Sequence, residues 1–140
     1  MSRIGFFTLS HTGHLFPAIA LGRKLSQRGH EVIFFNSIIS KAVLRNAGLA
    51  LHPLSLGENY QKPPGKYLGS NLSFRLQRQQ LFTQALFKEA PGPIQSAAID
   101  ALVLDQMFYP VGTVADWLNI PFVNLSLVSP IFISARTPMI

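Results

Sequence analysis

Short apolar runs alternate along this chain with longer segments of helical character, and this alternation constrains the fold more than any other feature. The runs are apolar on both faces, as strands buried between two layers of helices are. They occupy residues 3–9, 30–36, 49–54, 99–105 and 120–128. The segments between them predict helices over residues 16–28, 37–48, 71–90 and 110–118. The sequence therefore predicts an α/β protein with an open parallel sheet and helices on both faces.

Glycine, proline and serine residues indicate where the elements end. Pro17 is expected in the first turn of the first helix, and Gly29 should stop that helix. Ser37 is a plausible cap of the second helix, which Gly48 should end. Pro53 indicates that the third strand lies at an edge of the sheet or that this residue is near the end of the strand. Because crossovers between parallel strands are right-handed, the simplest strand order is the Rossmann-like 3-2-1-4-5.

The composition fits one globular domain. The chain has 140 residues, of which 48% are hydrophobic and 13% charged, which is enough apolar material for a core and argues against disorder. Cysteine is absent, which excludes disulfides, thiolate metal sites and a cysteine nucleophile. No signal peptide is indicated, and no apolar run approaches the ~20 residues of a bilayer-spanning helix. We therefore expect a cytoplasmic protein, at most peripheral at a membrane.

The charge is basic, with 12 Lys and Arg against 6 Asp and Glu and a net charge of +6. Such a charge alone permits nucleic acid or an anionic membrane as a partner. The basic residues are scattered and do not alternate with aromatic ones, so no nucleic-acid partner is expected. Lys62, Lys66, Arg75 and Arg78 could instead hold the domain near an anionic membrane.

The ends of the first and fourth strands carry the candidate chemistry. In open parallel sheets the ligand crevice lies beyond the carboxyl ends of the strands, where the strand order reverses. The first strand leads into "SHTGH", residues 10–14, and the fourth ends at Asp105. We predict that the side chains of His14 and Asp105 lie about 3 Å apart. The carboxylate would then fix the tautomer of the imidazole and leave its other nitrogen to act as a general base.

Simpler interpretations of both residues stay open. Asp105 follows the apolar run "ALVL", and a buried unpaired charge is very costly, so the carboxylate must face a partner, a cavity or solvent. It could also cap the next helix. His14 could be a structural histidine. The turn matches neither nucleotide-phosphate motif, and His11 with His14 lacks an obvious third ligand, so dinucleotide, P-loop and metal sites are disfavoured.

Two blocks of the chain resemble a known family. "TGHLFPAIALGRKLSQRGHEVIFF", residues 12–35, resembles the amino-terminal block of family 1 glycosyltransferases, above all the macrolide and zeaxanthin glucosyltransferase-like branch. "DALVLDQMFYPVGTVADWLNIPFVNLS", residues 100–126, resembles the second block of the same half. The undecaprenyl-linked glucosaminyltransferase of cell-wall synthesis has a related turn, so that branch stays open. The resemblance implies a two-domain GT-B fold, with residues 1–140 as a truncated acceptor-binding domain without its donor-binding domain.

The resemblance also implies an activity and its residues. His14 would be the general base and Asp105 its partner in an inverting transfer from a nucleotide sugar, UDP-linked in this branch, to a hydroxyl of a lipophilic small molecule. No cofactor or metal is implied, and the partner would be a carboxyl-terminal donor-binding domain or subunit. The loop over 55–70 and the helix over 71–90 would line the acceptor pocket. The candidate substrate contacts are Thr12, Gly13, Phe16, Phe74, Phe82 and Phe108. Core packing explains the aromatic residues equally well, and a non-catalytic binding module or partner subunit is the alternative function.

Overall fold

The computed structural model describes residues 1–55 and 72–126, and within the latter range it leaves out the side chains of residues 72–75 and 78. Five strands form one sheet in the order β3-β2-β1-β4-β5, and every neighbouring pair is parallel. The strands are β1 (Arg3–Phe7), β2 (Glu31–Asn36), β3 (Ala50–Pro53), β4 (Ala101–Asp105) and β5 (Phe122–Leu125). The predicted Rossmann-like order is confirmed, with β3 at an edge as Pro53 indicates.

Helices cover both faces of the sheet. They are α1 (Thr12–Gln27), α2 (Lys41–Asn46), α3 (Leu72–Glu89), α4 (Pro91–Ser96) and α5 (Tyr109–Trp117), with 3-10 turns at Ile38–Ser40 and Gln106–Phe108. Core residues from α1 and α2 pack on one face of the sheet, and core residues from α3, α4 and α5 pack on the other. The two predicted helical layers are therefore present. None of the described helices is long and apolar enough to cross a membrane.

The central strands show why the sheet is buried on both faces. Phe6 lies beside Phe34 and Phe7 beside Phe35 in the parallel register of β1 and β2. Each pair of rings is stacked with its centroids 4.8 Å apart. Because successive side chains of a strand point to opposite faces, the first pair packs in the α1 and α2 layer and the second in the other.

The start of α1 differs from the prediction. The helix begins at Thr12 rather than at residue 16, so Pro17 is its sixth residue and not a first-turn residue. The carbonyl of His11 accepts hydrogen bonds from the backbone N–H groups of His14 (3.0 Å) and Leu15 (2.8 Å), which close the first turn before the proline is reached. Pro17 lacks only the bond that would reach the carbonyl of Gly13. The consequence is that His14 lies on the helix and not in a loop.

Three other boundaries differ in smaller ways. The predicted second helix is a 3-10 turn followed by α2, and the prediction for residues 110–118 is met by α5 after a second 3-10 turn. The segment "APGP", residues 90–93, follows the predicted helix over 71–90 and contains the start of α4, because prolines fit the first turn of a helix. Most of the predicted 55–70 loop, and the end of the predicted fifth strand, lie outside the described residues.

The predicted stop and cap signals are present. Gly29 and Gly48 follow α1 and α2 with φ angles of +87° and +73°, a conformation that glycine adopts without steric cost. The side chain of Ser37 accepts a hydrogen bond from the backbone N–H of Ile39 at 3.4 Å. Because β1, β2 and β4 are parallel neighbours, their carboxyl ends lie at one edge of the sheet.

Candidate functional site

The candidate site lies where β1 and β4 end side by side. Phe7 pairs with Leu104 in the parallel register, so the chain leaves both strands at the same level. β1 continues into residues 8–11, which we name the β1–α1 turn, and β4 ends at Asp105. The topology thereby brings together two segments about 90 residues apart in sequence.

His14 and Asp105 form a close hydrogen bond at this edge. The Nδ1 atom of His14, the third residue of α1, lies 2.6 Å from Oδ2 of Asp105. The side chain of His14 is 18% exposed, whereas that of Asp105 is 0% exposed. The structure thus places the two predicted residues together, with the carboxylate buried and the imidazole reaching the surface.

Asp105 is held by two further donors. Its Oδ1 accepts a hydrogen bond from the backbone N–H of Met107 at 2.9 Å, and its Oδ2 accepts one from Oγ1 of Thr8 at 3.3 Å. Asp105 therefore caps the 3-10 turn that follows it and also bonds His14, so the two interpretations of this residue hold at once. Three donors provide the compensation that a buried carboxylate requires.

This arrangement fixes which imidazole nitrogen carries the proton. A carboxylate oxygen only accepts, so Nδ1 of His14 must donate to Asp105. In a neutral imidazole the other nitrogen, Nε2, then holds a lone pair. No side chain among the described residues bonds to Nε2. The site can therefore take a proton from a group that approaches Nε2.

A second buried side chain bonds to the β1–α1 turn from β2, which lies on the other side of β1 from β4. Oγ of Ser10 donates to Oδ1 of Asn36 at 2.7 Å, and Asn36, which ends β2, is 3% exposed. Sequence reasoning missed both Thr8 and Asn36. The signal was a single polar residue at the end of each apolar strand, "FFT" and "FFN".

The predicted substrate contacts separate into exposed and buried residues. Thr12 and Gly13 are exposed in the first turn of α1, and Phe16 is 54% exposed. Phe82 and Phe108 are each 6% exposed, with ring centroids 5.4 Å apart in an edge-to-face contact. These two rings belong to the core, because α3 and the turn after β4 direct them toward the sheet, as the core-packing interpretation holds. Their contact with a substrate stays a prediction.

Some predicted substrate and membrane contacts lie outside the described residues. Phe74, Arg75 and Arg78 lie on α3, but their side chains are not among the described residues, and Lys62 and Lys66 are wholly outside them. Within the described ranges, no three His, Asp or Glu side chains form a group that could hold a metal ion.

Comparisons with known proteins show the family of the chain and its fold. The model of the glycosyltransferase family 28 N-terminal domain matches residues 11–102, which is more than half of the chain. The zeaxanthin glucosyltransferase of Pseudescherichia vulneris is 28% identical over 120 residues, which cover 84% of this chain and 29% of that protein. The UDP-N-acetylglucosamine–N-acetylmuramyl-(pentapeptide) pyrophosphoryl-undecaprenol N-acetylglucosamine transferase of Rickettsia felis is 47% identical over 45 residues, covering 31% of this chain and 12% of that protein.

Solved structures show the same fold. The glycotransferase of kitacinnamycin superposes with a TM-score of 0.76 at 20% identity, over 91% of this chain and 30% of that one. The glycosyltransferase SnogD from Streptomyces nogalater gives a TM-score of 0.70 at 25% identity, over 90% of this chain and 33% of that one. The chain thus spans about a third of the length of these proteins and has the Rossmann-like fold of a GT-B amino-terminal half. From the family match over residues 11–102 and this shared fold, we conclude that the chain belongs to the glycosyltransferase family 28 N-terminal domain family.

Proposed function

We propose that this chain is the acceptor-binding domain of an inverting glycosyltransferase in which His14 is the general base. The proposed enzyme transfers a sugar from a UDP-linked donor to a hydroxyl group of a lipophilic small molecule. The observation that carries the proposal is the 2.6 Å contact between Nδ1 of His14 and the buried Oδ2 of Asp105. This contact leaves Nε2 as the proton acceptor at the edge of the sheet where open parallel folds bind ligands.

The proposed reaction follows from these roles. The acceptor hydroxyl gives its proton to Nε2 of His14 while its oxygen attacks the anomeric carbon of the donor sugar. The bond between that carbon and the diphosphate oxygen breaks, and the nucleoside diphosphate leaves from the opposite side with inversion. Asp105 stays ionised and stabilises the imidazolium that forms. A positioned general base of this kind contributes about 10²–10⁴-fold to a rate.

The donor side of the reaction needs more than the described residues supply. The relatives are about three times as long as this chain, since it spans 29% of the Pseudescherichia vulneris protein. We assign the donor's diphosphate and sugar to a carboxyl-terminal domain or subunit that closes over the edge carrying His14. Electrostatic stabilisation of a leaving group is often the largest single contribution to catalysis. The chain by itself is therefore expected to bind acceptor weakly and to show no turnover.

A lipophilic acceptor is supported by one relative and one exposed side chain. The relative from Pseudescherichia vulneris is named a zeaxanthin glucosyltransferase. Phe16 lies two residues after His14 on α1 and is 54% exposed. An exposed aromatic ring can cover apolar surface of a lipophilic acceptor. Peripheral contact with an anionic membrane, where such acceptors reside, is part of the same proposal.

A second candidate acceptor comes from a different relative. The Rickettsia felis transferase, which is named for an undecaprenol-linked pyrophosphoryl acceptor, is 47% identical over 45 residues. Its acceptor is also lipid-linked, so the same base and the same edge of the sheet would serve. The two candidates differ in donor, since that relative is named as an N-acetylglucosamine transferase.

The test is transfer by the chain combined with a matching carboxyl-terminal half. We expect glucose transfer from UDP-glucose to zeaxanthin, and no transfer of N-acetylglucosamine to undecaprenol-linked muramyl pentapeptide. The reverse result would favour the second candidate. His14→Ala should abolish transfer while the two halves still assemble. His11→Ala is the matched control, because His11 is exposed and has no bond to Asp105. Full activity of the His14→Ala complex, or robust transfer by the chain alone, would refute the proposal.

A further inference from the structure

The β1–α1 turn, residues 8–11, is held between the two strands that flank β1. Thr8 bonds Asp105 on β4, and Ser10 bonds Asn36 on β2. We propose that Asn36 is a positioning residue for the pair of His14 and Asp105, acting through Ser10. The consequence for sugar transfer rests on the function proposed above, whereas the positioning itself does not.

The side chain of Asn36 is held in place by several hydrogen bonds, so it can position the β1–α1 turn. Its Oδ1 accepts hydrogen bonds from Oγ of Ser10 at 2.7 Å, from the backbone N–H of Ser37 at 2.7 Å and from Oγ of Ser40 at 3.4 Å. Its backbone carbonyl accepts a bond from the backbone N–H of Leu54 at 2.9 Å, just beyond β3. The side chain is therefore immobilised by the end of the sheet and by the segment after β2.

The bond to Ser10 controls where α1 begins. Ser10 is followed by His11, whose carbonyl closes the first turn of α1 by accepting from the backbone N–H groups of His14 and Leu15. A displacement of Ser10 thus moves the start of the helix that carries the imidazole. The contact of His14 with Asp105 is 2.6 Å long, and a shift of about 1 Å would lengthen it beyond a hydrogen bond.

Of the two polar atoms in the Asn36 side chain, only Oδ1 forms hydrogen bonds with the described residues. Its Nδ2 is buried and has no hydrogen-bond partner in the part of the chain that the structure describes. A buried unpaired donor destabilises a fold rather than supporting it. The contribution of Asn36 therefore comes through Oδ1, which an aspartate in the same place would retain. This difference separates positioning through the oxygen from any role of the amide nitrogen.

The experiment compares four single variants and one double variant of the chain by NMR of the His14 ring. The readout is the exchange rate with water of the Nδ1 proton that His14 donates to Asp105. We expect Ser10→Ala to raise this rate about tenfold, as the loss of one hydrogen bond implies. Asn36→Ala loses the same bond together with those from Ser37 and Ser40, so it should raise the rate at least as much. Asn36→Asp should leave the rate near that of the natural sequence. Asn46→Ala, an exposed position on α2, is the control and should change nothing.

The double variant Ser10→Ala with Asn36→Ala should exchange no faster than Asn36→Ala alone, because the bond that Ser10→Ala removes is already absent there. Circular dichroism shows which variants are folded. An unchanged exchange rate in folded Ser10→Ala would overturn the inference. An Asn36→Asp variant that is folded and exchanges as fast as Asn36→Ala would also overturn it. If the buried charge unfolds Asn36→Asp, the Ser10→Ala result decides.

Failure of this inference can be told from failure of the proposed function. The exchange rate requires no sugar transfer, so a chain that transfers nothing but shows the expected rates would refute the function and support the positioning. In a complex that transfers sugar, Ser10→Ala should lower kcat about tenfold and leave KM nearly unchanged. An active complex with insensitive exchange rates and unchanged kcat would overturn the positioning alone.

Discussion

Replacement of Asp105 by alanine or by asparagine separates its structural role from its chemical one. The alanine variant loses all three bonds to the carboxylate, which come from His14, Met107 and Thr8. The donors differ in how well they can replace the lost hydrogen bond. The ring of His14 is 18% exposed and can turn to water, whereas Thr8 is 1% exposed and keeps only the carbonyl of Leu9 at 3.4 Å.

The size of the stability loss follows from this count. Hydrogen bonds to a charged group contribute about 1.5–3 kcal/mol each, and the desolvation cost of the buried carboxylate is recovered when it is removed. We expect Asp105→Ala to lower the free energy of unfolding by about 2–4 kcal/mol. Asp105→Asn keeps an oxygen that can accept from Met107, so its loss should be about half as large. Urea unfolding followed by circular dichroism measures both values.

The effect of Asp105→Asn on sugar transfer should be large, although its effect on stability is the smaller of the two. In Asp105→Asn the amide N–H₂ group faces Nδ1 of His14, which then accepts a hydrogen bond instead of donating one. The neutral imidazole therefore carries its hydrogen on Nε2, and the base is lost although the fold is kept. We expect sugar transfer to fall by about 10³–10⁴-fold, as in a hydrolase triad with the same replacement. Nitrogen chemical shifts of the His14 ring report the tautomer. An Nδ1–H tautomer in folded Asp105→Asn, or transfer near the natural rate, would refute the reasoning.

Two further comparisons test packing and the site. Gly5→Ala would place a Cβ 2.8 Å from side-chain atoms of both Leu102 and Phe35, so we expect the free energy of unfolding, measured by thermal unfolding, to fall by about 1–3 kcal/mol. Gly13→Ala is the control: its Cβ would meet no atom within 4 Å, so it should not lower the melting temperature. Phe108→Ala should cost about 3–5 kcal/mol because the ring is in the core. Phe16→Ala should leave the free energy of unfolding unchanged and weaken binding of zeaxanthin in a fluorescence titration; equal loss of stability in both phenylalanine variants would contradict these assignments.

The sequence was sufficient for the sheet and for the central pair of the site. Strands apolar on both faces require helices on each side, and right-handed crossovers then leave one simple strand order. That order alone brings His14 and Asp105 together, because it makes β1 and β4 neighbours. The prediction needed no knowledge of side-chain contacts, only of which strand ends meet.

The rest depends on contacts that local patterns do not encode. Pro17 is a helix-start signal in most sequences, but here the turn at His11 closes earlier. The sequence pattern of residues 71–90 does not tell which face of the helix meets the sheet, so it could not decide that Phe82 packs in the core, where the structure places it. Thr8 and Asn36 act through partners 97 and 26 residues away, so no neighbouring residue reveals their role.

The long sequence separation of the His14–Asp105 bond has a consequence for how the chain acquires its site. The two residues are 91 positions apart, whereas β1, β2 and β3 follow one another as strands along the chain, and each pairs with the next. Because a long loop must close before β4 can pair with β1, we expect β4 to dock after these three strands have paired. During synthesis the first half of the sheet can therefore form before Asp105 has arrived. The imidazole acquires its partner only when β4 inserts next to β1, and the His14–Asp105 bond is thus a marker of the completely folded domain.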